Sequence, residues 1–386
     1  MWGRFERKRT GRIESVWRRF GRLRTKREGR ASGSTVGPGI GVVALLTIVS
    51  LAVWLLRRRA RETALVATAP EEGAERIMTD LPSSFKSPEG EAEFMAAYEA
   101  CMKLWPVPYE PMDITGRYGR THLVASGPKD APPLVLLHMF LTSLTQWAAN
   151  IADLSRDYRV YAIDVMGQPS KSIPDQPIQS REDYVTWLSE VLDALDIKST
   201  NLVGASFGGW LTLNYAIGAP ERVNKIVLLS PAGGFLPLVK QFYVRGMLNT
   251  LFRRRFAMDS FVRWTAYEEN LRDPSTRLIM YCIADQMYLG TRYFRMQGGV
   301  LPDVFSDEEL RGIQVPTLLL IGQQEVIYDP EGALERARRL IPNFEGELVP
   351  QASHEMTISQ HEIVDRRILE FLRESPAHPQ ASGTNA

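Results

Sequence analysis

The sequence predicts an α/β fold: a mostly parallel central sheet with helices on both faces, a helical insertion, and an N-terminal transmembrane helix. Three observations carry that expectation. Short runs that are apolar throughout, such as PLVLLH at 133–138 and PTLLLI at 316–321, alternate with segments of helical periodicity. Strands of that kind are buried on both faces, as in a parallel sheet. The alternation breaks once, from about 233 to 307, where Phe242, Tyr243, Met247, Phe252, Met258, Phe261, Trp264 and Tyr267 recur at helical spacing. Near the start, Gly39 to Leu56 (GIGVVALLTIVSLAVWLL) is almost wholly apolar.

The N-terminal elements come first. Residues 1–37 form a basic tail, and residues 1–30 alone hold twelve Lys/Arg and three acids. Residues 38–56 read as one membrane-spanning helix, because about 18 helical residues reach roughly 27 Å, close to the hydrocarbon thickness of a bilayer. A buried core helix is disfavoured, since the run has no polar face and ends in Arg57-Arg58-Arg59-Ala60-Arg61. A cleaved signal peptide, with Ala67-Thr68-Ala69 as its cleavage site, fits less well: Pro70 follows, and four arginines intervene. The basic tail favours staying in the cytoplasm, which places the folded domain outside it. Near the helix, six basic residues on one side face five on the other and decide nothing. Residues 57–90 read as a juxtamembrane linker, 91–375 as the folded domain and 376–386 as a disordered tail.

Within 91–375 the expected elements are a helix at 91–105 and a hairpin at 112–127 around Gly116-Arg117-Tyr118-Gly119. Strands follow at 133–138, 159–165, 201–204, 225–229, 316–321 and 344–350. Helices are expected at 145–158, 181–197, 208–218, 331–340 and 362–373, with no internal repeats. The aromatics of the insertion mostly read as packing onto the sheet, with a lid over a site as the second reading. At 386 residues and 44% hydrophobic, the chain can fill one large domain or two ordinary ones. Its net charge is +1; outside residues 1–30 it keeps 34 of 46 basic and 42 of 45 acidic residues. With no basic stripe there, no nucleic-acid partner is expected. Cys101 and Cys282 form neither a disulfide framework nor a zinc spacing, and no metal or cofactor is expected.

The chemistry concentrates at Gly204-Ala205-Ser206-Phe207-Gly208, a G-x-S-x-G between an expected strand and helix. A sharp strand-to-helix turn forces unusual angles on the serine, and the glycines remove the side chains that would clash. A serine hydroxyl needs a base. Of the five histidines, His378 lies in the tail, His122 in the hairpin and His361 at the start of the last helix. His138 ends a strand and reads as packing that shapes its loop, as does Trp147. His354 follows the last strand, at the sheet edge where Ser206 sits, and is the expected base. Its orienting acid is Glu325 or Asp329, both after the 316–321 strand, with Glu325 preferred as nearer the strand end. The oxyanion donors are expected to be the backbone N–H groups of Phe140 and Phe207.

From about Tyr109 to Leu372 the chain resembles the α/β-hydrolase superfamily in its capped, single-domain form. The resemblance rests on LLHMF, AIDVMGQPSKS, VGASFGG, PTLLLIGQQE and QASH. It implies a Ser206–Glu325–His354 triad, a cap at about 233–307, and a structural rather than catalytic Asp164. Two positions depart from the usual pattern: Met139 stands where relatives usually have Gly, which implies an oxyanion loop that is tighter or less active, and Glu325 where Asp is common. The expected function is a membrane-anchored serine hydrolase acting on a small ester-like substrate. Rival readings are a C–C bond hydrolase or cofactor-free perhydrolase on the same scaffold, a catalytically silent binding protein, and a tether serving assembly. A serine at 206 argues against dehalogenase or epoxide hydrolase chemistry, where relatives place Asp.

Overall fold

A computed structural model describes residues 84–296 and 299–374. The basic tail, the apolar run at 38–56, all but the end of the linker and the C-terminal tail lie outside the described residues. Among the described residues no helix is long and apolar enough to cross a membrane.

A helix α1 (Pro88–Met102), capped by the Ser87 hydroxyl, opens the fold. The hairpin β1 (Glu110–Gly116) and β2 (Gly119–Ser126) follows, then β3 (Pro133–Leu137), a 3-10 turn (Leu144–Ala149), α2 (Ile151–Leu154), β4 (Arg159–Ile163) and a two-residue β5 (Ile173–Pro174). Next come α3 (Arg181–Ala194), β6 (Thr200–Ala205), α4 (Phe207–Gly218) and β7 (Val223–Leu229). The insertion consists of α5 (Lys240–Phe252), α6 (Arg255–Trp264), α7 (Pro274–Tyr293) and α8 (Asp307–Arg311). The fold closes with β8 (Thr317–Gly322), α9 (Pro330–Leu340), β9 (Phe344–Val349), α10 (Met356–Ser359) and α11 (His361–Arg373).

The strands form one sheet in the order β1-β2-β4-β3-β6-β7-β8-β9, with β5 on β2. Pairing is antiparallel at the β1, β2, β4 and β5 edge and parallel from β4 through β9. Side chains alternate across a strand, so each apolar run feeds two cores. Val135, Leu137, Leu202, Leu319 and Ile321 point to a core closed by Tyr184, Trp187, Trp210 and Ala337. Their neighbours Leu134, Leu136, Val203, Leu318 and Leu320 point to the other, closed by Phe94, Tyr98, Val364 and Phe371. Burial on both faces is why these strands carry no polar alternation.

One expected element differs. The continuous helix at 145–158 is instead the 3-10 turn and the short α2. Long-range bonds compete with helical ones there. Asp164 accepts the Leu144 N–H, the Gln286 amide donates to the Thr145 hydroxyl, and the Asn150 amide donates to Asp365. The insertion is anchored to α1. A Cβ on Gly90 would sit 2.6 Å from the Tyr293 ring, so α1 and α7 meet at glycine distance.

Candidate active site

The strand β6 is buried along its whole length and delivers Ser206 at the edge where the parallel strands end. Ser206 has φ 53° and ψ −112°, a left-handed conformation that costs a serine about 1–3 kcal/mol. Two glycines let the turn form. A Cβ on Gly204 would lie 2.1 Å from the Gly208 carbonyl oxygen, and one on Gly208 would lie 2.1 Å from the Leu137 oxygen. The helix α4 thus starts in direct contact with β6 and β3. The Ser206 N–H donates to the Leu229 oxygen at 2.9 Å, and the Ser206 oxygen accepts from Trp210 and Ala232.

The structure brings Ser206, His354 and Glu325 together. His354 Nε2 lies 2.8 Å from Ser206 Oγ, and His354 Nδ1 lies 2.8 Å from Glu325 Oε2. The Glu325 side chain is wholly buried, and its other oxygen accepts the N–H groups of Val326 and Ile327 at 2.8 and 3.0 Å. Asp329, the other candidate acid, directly precedes α9, and no described bond joins it to His354. Burial opposes ionisation of Glu325, but the His354 charge, their hydrogen bond and the Ile327 N–H hold its carboxyl below the ordinary value. Burial also opposes a charged His354, yet the charge and hydrogen bond of Glu325 and the charge of Glu355 raise its pKa above 6.5.

The loop after β3 is shaped by side chains. The Met139 N–H donates to Gln146 Oε1 at 2.8 Å and the Leu141 N–H to Gln168 Oε1 at 3.0 Å. No described hydrogen bond uses the Phe140 N–H between them, or that of Phe207, the first residue of α4. The two rings meet edge to face at 5.7 Å. His138 is fully buried. Its Nε2 accepts the Val165 N–H at 2.9 Å, so Nδ1 carries the proton and donates to the Met139 oxygen at 2.8 Å. Asp164 is a hub of the same kind, accepting from Leu144, Lys171 and the Tyr98 hydroxyl.

A family defined by the alpha/beta hydrolase fold matches residues 132–359. The chain belongs to the α/β-hydrolase superfamily. It is 40% identical over 279 residues to an uncharacterized carboxylesterase, nap, of Bacillus subtilis, across 72% of this chain and 91% of that one. It is 37% identical over 289 residues to carboxylesterase YbfK of the same organism, across 75% and 96% of the two chains. The crystal structure of naproxen esterase from Bacillus subtilis is similar at TM-score 0.67 and 38% identity, covering 74% of this chain and 99% of that one.

In this α/β-hydrolase a cavity of about 420 Å³ lies over Ser206 and His354, under the insertion. Its walls are mainly apolar, among them Leu141, Phe242, Met258, Phe261, Met280 and Met287. The aromatics of the insertion therefore divide. Phe242 and Phe261 line the cavity, while Trp264 packs beside Phe261. Sequence reasoning missed Gln146, Gln168 and Glu355. The two glutamines act from remote positions on the backbone of residues 139–141. Glu355 is buried and accepts from the N–H of Tyr267, the Asn270 amide and the N–H of Ser353. Its place directly after His354 was the available signal.

Proposed function

We propose that this hydrolase cleaves carboxylic esters through an acyl-enzyme on Ser206. The observation that carries the reading is the continuous hydrogen-bonded path Ser206 Oγ, His354 Nε2, His354 Nδ1, Glu325 Oε2, with both links at 2.8 Å. Neutral His354 takes the Ser206 proton as Oγ attacks the ester carbonyl. Glu325 steadies the imidazolium that results, and the Phe140 and Phe207 amides receive the oxyanion. The imidazolium then returns its proton to the departing alcohol. Water, deprotonated by the same histidine, releases the acid. The Met-rich, apolar cavity suits a bulky acyl or alcohol group, and both similar Bacillus proteins are named carboxylesterases. The apolar run Gly39–Leu56 supports a single-pass membrane anchor, and the basic tail before it supports an extracytoplasmic domain.

The test is labelling of the full chain with a fluorophosphonate, wild type beside Ser206→Ala, followed by a p-nitrophenyl ester chain-length series. Wild type labels, Ser206→Ala does not, and its kcat falls by about 10⁴-fold or more. A folded wild type that neither labels nor turns over any ester removes the reading. For the anchor, deleting residues 1–61 moves the activity from the membrane pellet to the supernatant. Activity that stays in the pellet places the anchor elsewhere.

A further inference from the structure

The helix α5 has two faces, and the outer one is unusual. Tyr243, Val244, Met247, Leu248, Leu251 and Phe252 recur at a spacing that places them on one side of the helix, and all are exposed. Leu251 is 70% exposed and Phe252 56%, and the stripe runs on to Phe256 at 72%. Among the described residues, every exposed large apolar side chain except Tyr109 lies between 239 and 304. The cap thus gathers nearly all the apolar surface that the rest of the domain hides. The inner face of α5 lines the cavity through Phe242, Gly246, Asn249 and Thr250. Tyr243 and Met247 belong to both faces, so the mouth of the cavity opens within the apolar patch.

The charge left unpaired along the patch is basic, since the acids beside it, Asp259 and Asp285, are both engaged by Arg255. Residues 240–258 contain Lys240, Arg245, Arg253, Arg254 and Arg255 and no acid. Lys240, Arg253 and Arg254 are exposed and take part in no described ion pair. The described chain also begins on the cap. The Lys86 N–H donates to the Tyr293 oxygen and the Arg295 N–H to the Ser84 oxygen, both at 2.8 Å.

We propose that the outer face of α5 docks on an anionic phospholipid surface, so that the mouth above Ser206 takes its ester from the lipid phase. This deepens the esterase reading and rests on it. An apolar stripe flanked by Lys and Arg is the pattern of a helix lying in a membrane interface. A second copy of the chain would set Lys240, Arg253 and Arg254 against their own counterparts, and the apolar run at 39–56 ends in Arg57, Arg58, Arg59 and Arg61. Like charge disfavours both as occupants, whereas phosphatidylglycerol headgroups complement it.

The full chain, with Cys101→Ala and Cys282→Ala, carries an environment-sensitive fluorophore on Leu251→Cys and is reconstituted in phosphatidylcholine–phosphatidylglycerol vesicles. A second preparation carries it on Glu335→Cys of α9. Doxyl-labelled lipid is expected to quench the probe at 251 at least about twofold more than the probe at 335. Equal quenching at the two positions overturns the proposal. So does a probe at 251 that is shielded from water but not quenched, since a second copy or residues 39–56 then cover the stripe. In otherwise native protein, Leu251→Glu with Phe252→Glu should slow hydrolysis of a vesicle-borne long-chain ester about tenfold and leave p-nitrophenyl acetate unchanged. Equal effects on both esters overturn the docking. Quenching at 251 in a protein that cleaves neither ester leaves the docking intact and removes the esterase reading instead.

Discussion

At the scale of the residue, the proposed mechanism makes the pH response depend on His354. It must be neutral to take the Ser206 proton, and the charge and hydrogen bond of Glu325 with the charge of Glu355 overcome burial to raise its pKa. Below that pKa the imidazole is already protonated, so kcat/KM falls as pH drops through it. The acid limb should have its midpoint above 6.5, the ordinary value. Glu325→Gln removes the strongest raising influences and leaves burial. It should move the acid limb to lower pH while cutting kcat about 10³–10⁴-fold. Asp329→Asn should do neither. An acid limb that stays put in Glu325→Gln would show that the carboxylate does not face the imidazole in solution. The meeting of Ser206, His354 and Glu325 was legible because each follows from a local constraint. Gly204 and Gly208 are needed for contact with Leu137 and with each other, and parallel strands bring their ends to one edge. The orientation of the loop at 139–141 was not legible, because glutamines 7 and 27 residues away set it.

At the scale of the element, the cap is fastened to the segment that holds His354. The His354 N–H donates to the Thr265 oxygen at 3.1 Å. One oxygen of Glu355 accepts from Tyr267, Asn270 and Ser359, and the other from Ser353. Every partner is a donor, so Glu355→Gln turns one acceptor into a second donor and leaves buried N–H groups unpaired. The cost should be about 1–3 kcal/mol, and Tm should fall by a few degrees. KM for long-chain esters, which reach the cap, should rise more than KM for acetate. A variant with unchanged Tm and unchanged chain-length preference would show that the cap is held elsewhere. Helical spacing in 233–307 revealed that an insertion exists. It did not reveal this clamp, because a carboxylate beside a histidine reads the same whether it meets solvent or four donors. The helix expected at 145–158 failed for a related reason: Leu144, Thr145 and Asn150 bond to Asp164, Gln286 and Asp365, partners that sequence spacing does not show.

At the scale of the whole molecule, the order of parallel strands and covering helices was legible because the strands are buried on both faces and say so in their composition. The antiparallel β1–β2 hairpin was legible from its turn, whereas the two-residue β5 is too short to leave a pattern. Closure of the domain is harder to read, and it sets the last prediction. Asp365 of α11 is buried against Asn150, whose amide donates to Oδ1 at 2.8 Å, while Oδ2 has no described partner. Burial pushes its pKa up to about 8; the Asn150 hydrogen bond opposes this and the charge of Asp153 adds to it. His361 Nδ1, 4.0 Å away, is the remaining titratable neighbour on α11. An unfolded aspartate titrates near 3.9, so between about 4 and 8 the folded chain holds a proton that the unfolded chain has released. Stability from this group is therefore complete at low pH and is lost as pH rises through that window, by up to a few kcal/mol. Asparagine keeps the shape and the bond to Asn150 without the titration. Asp365→Asn should match wild type in chemical denaturation at about pH 4 and below, and exceed it progressively up to about pH 8. A difference that stays constant with pH would mean that the carboxyl is ionised in the folded protein and that α11 closes on a charge.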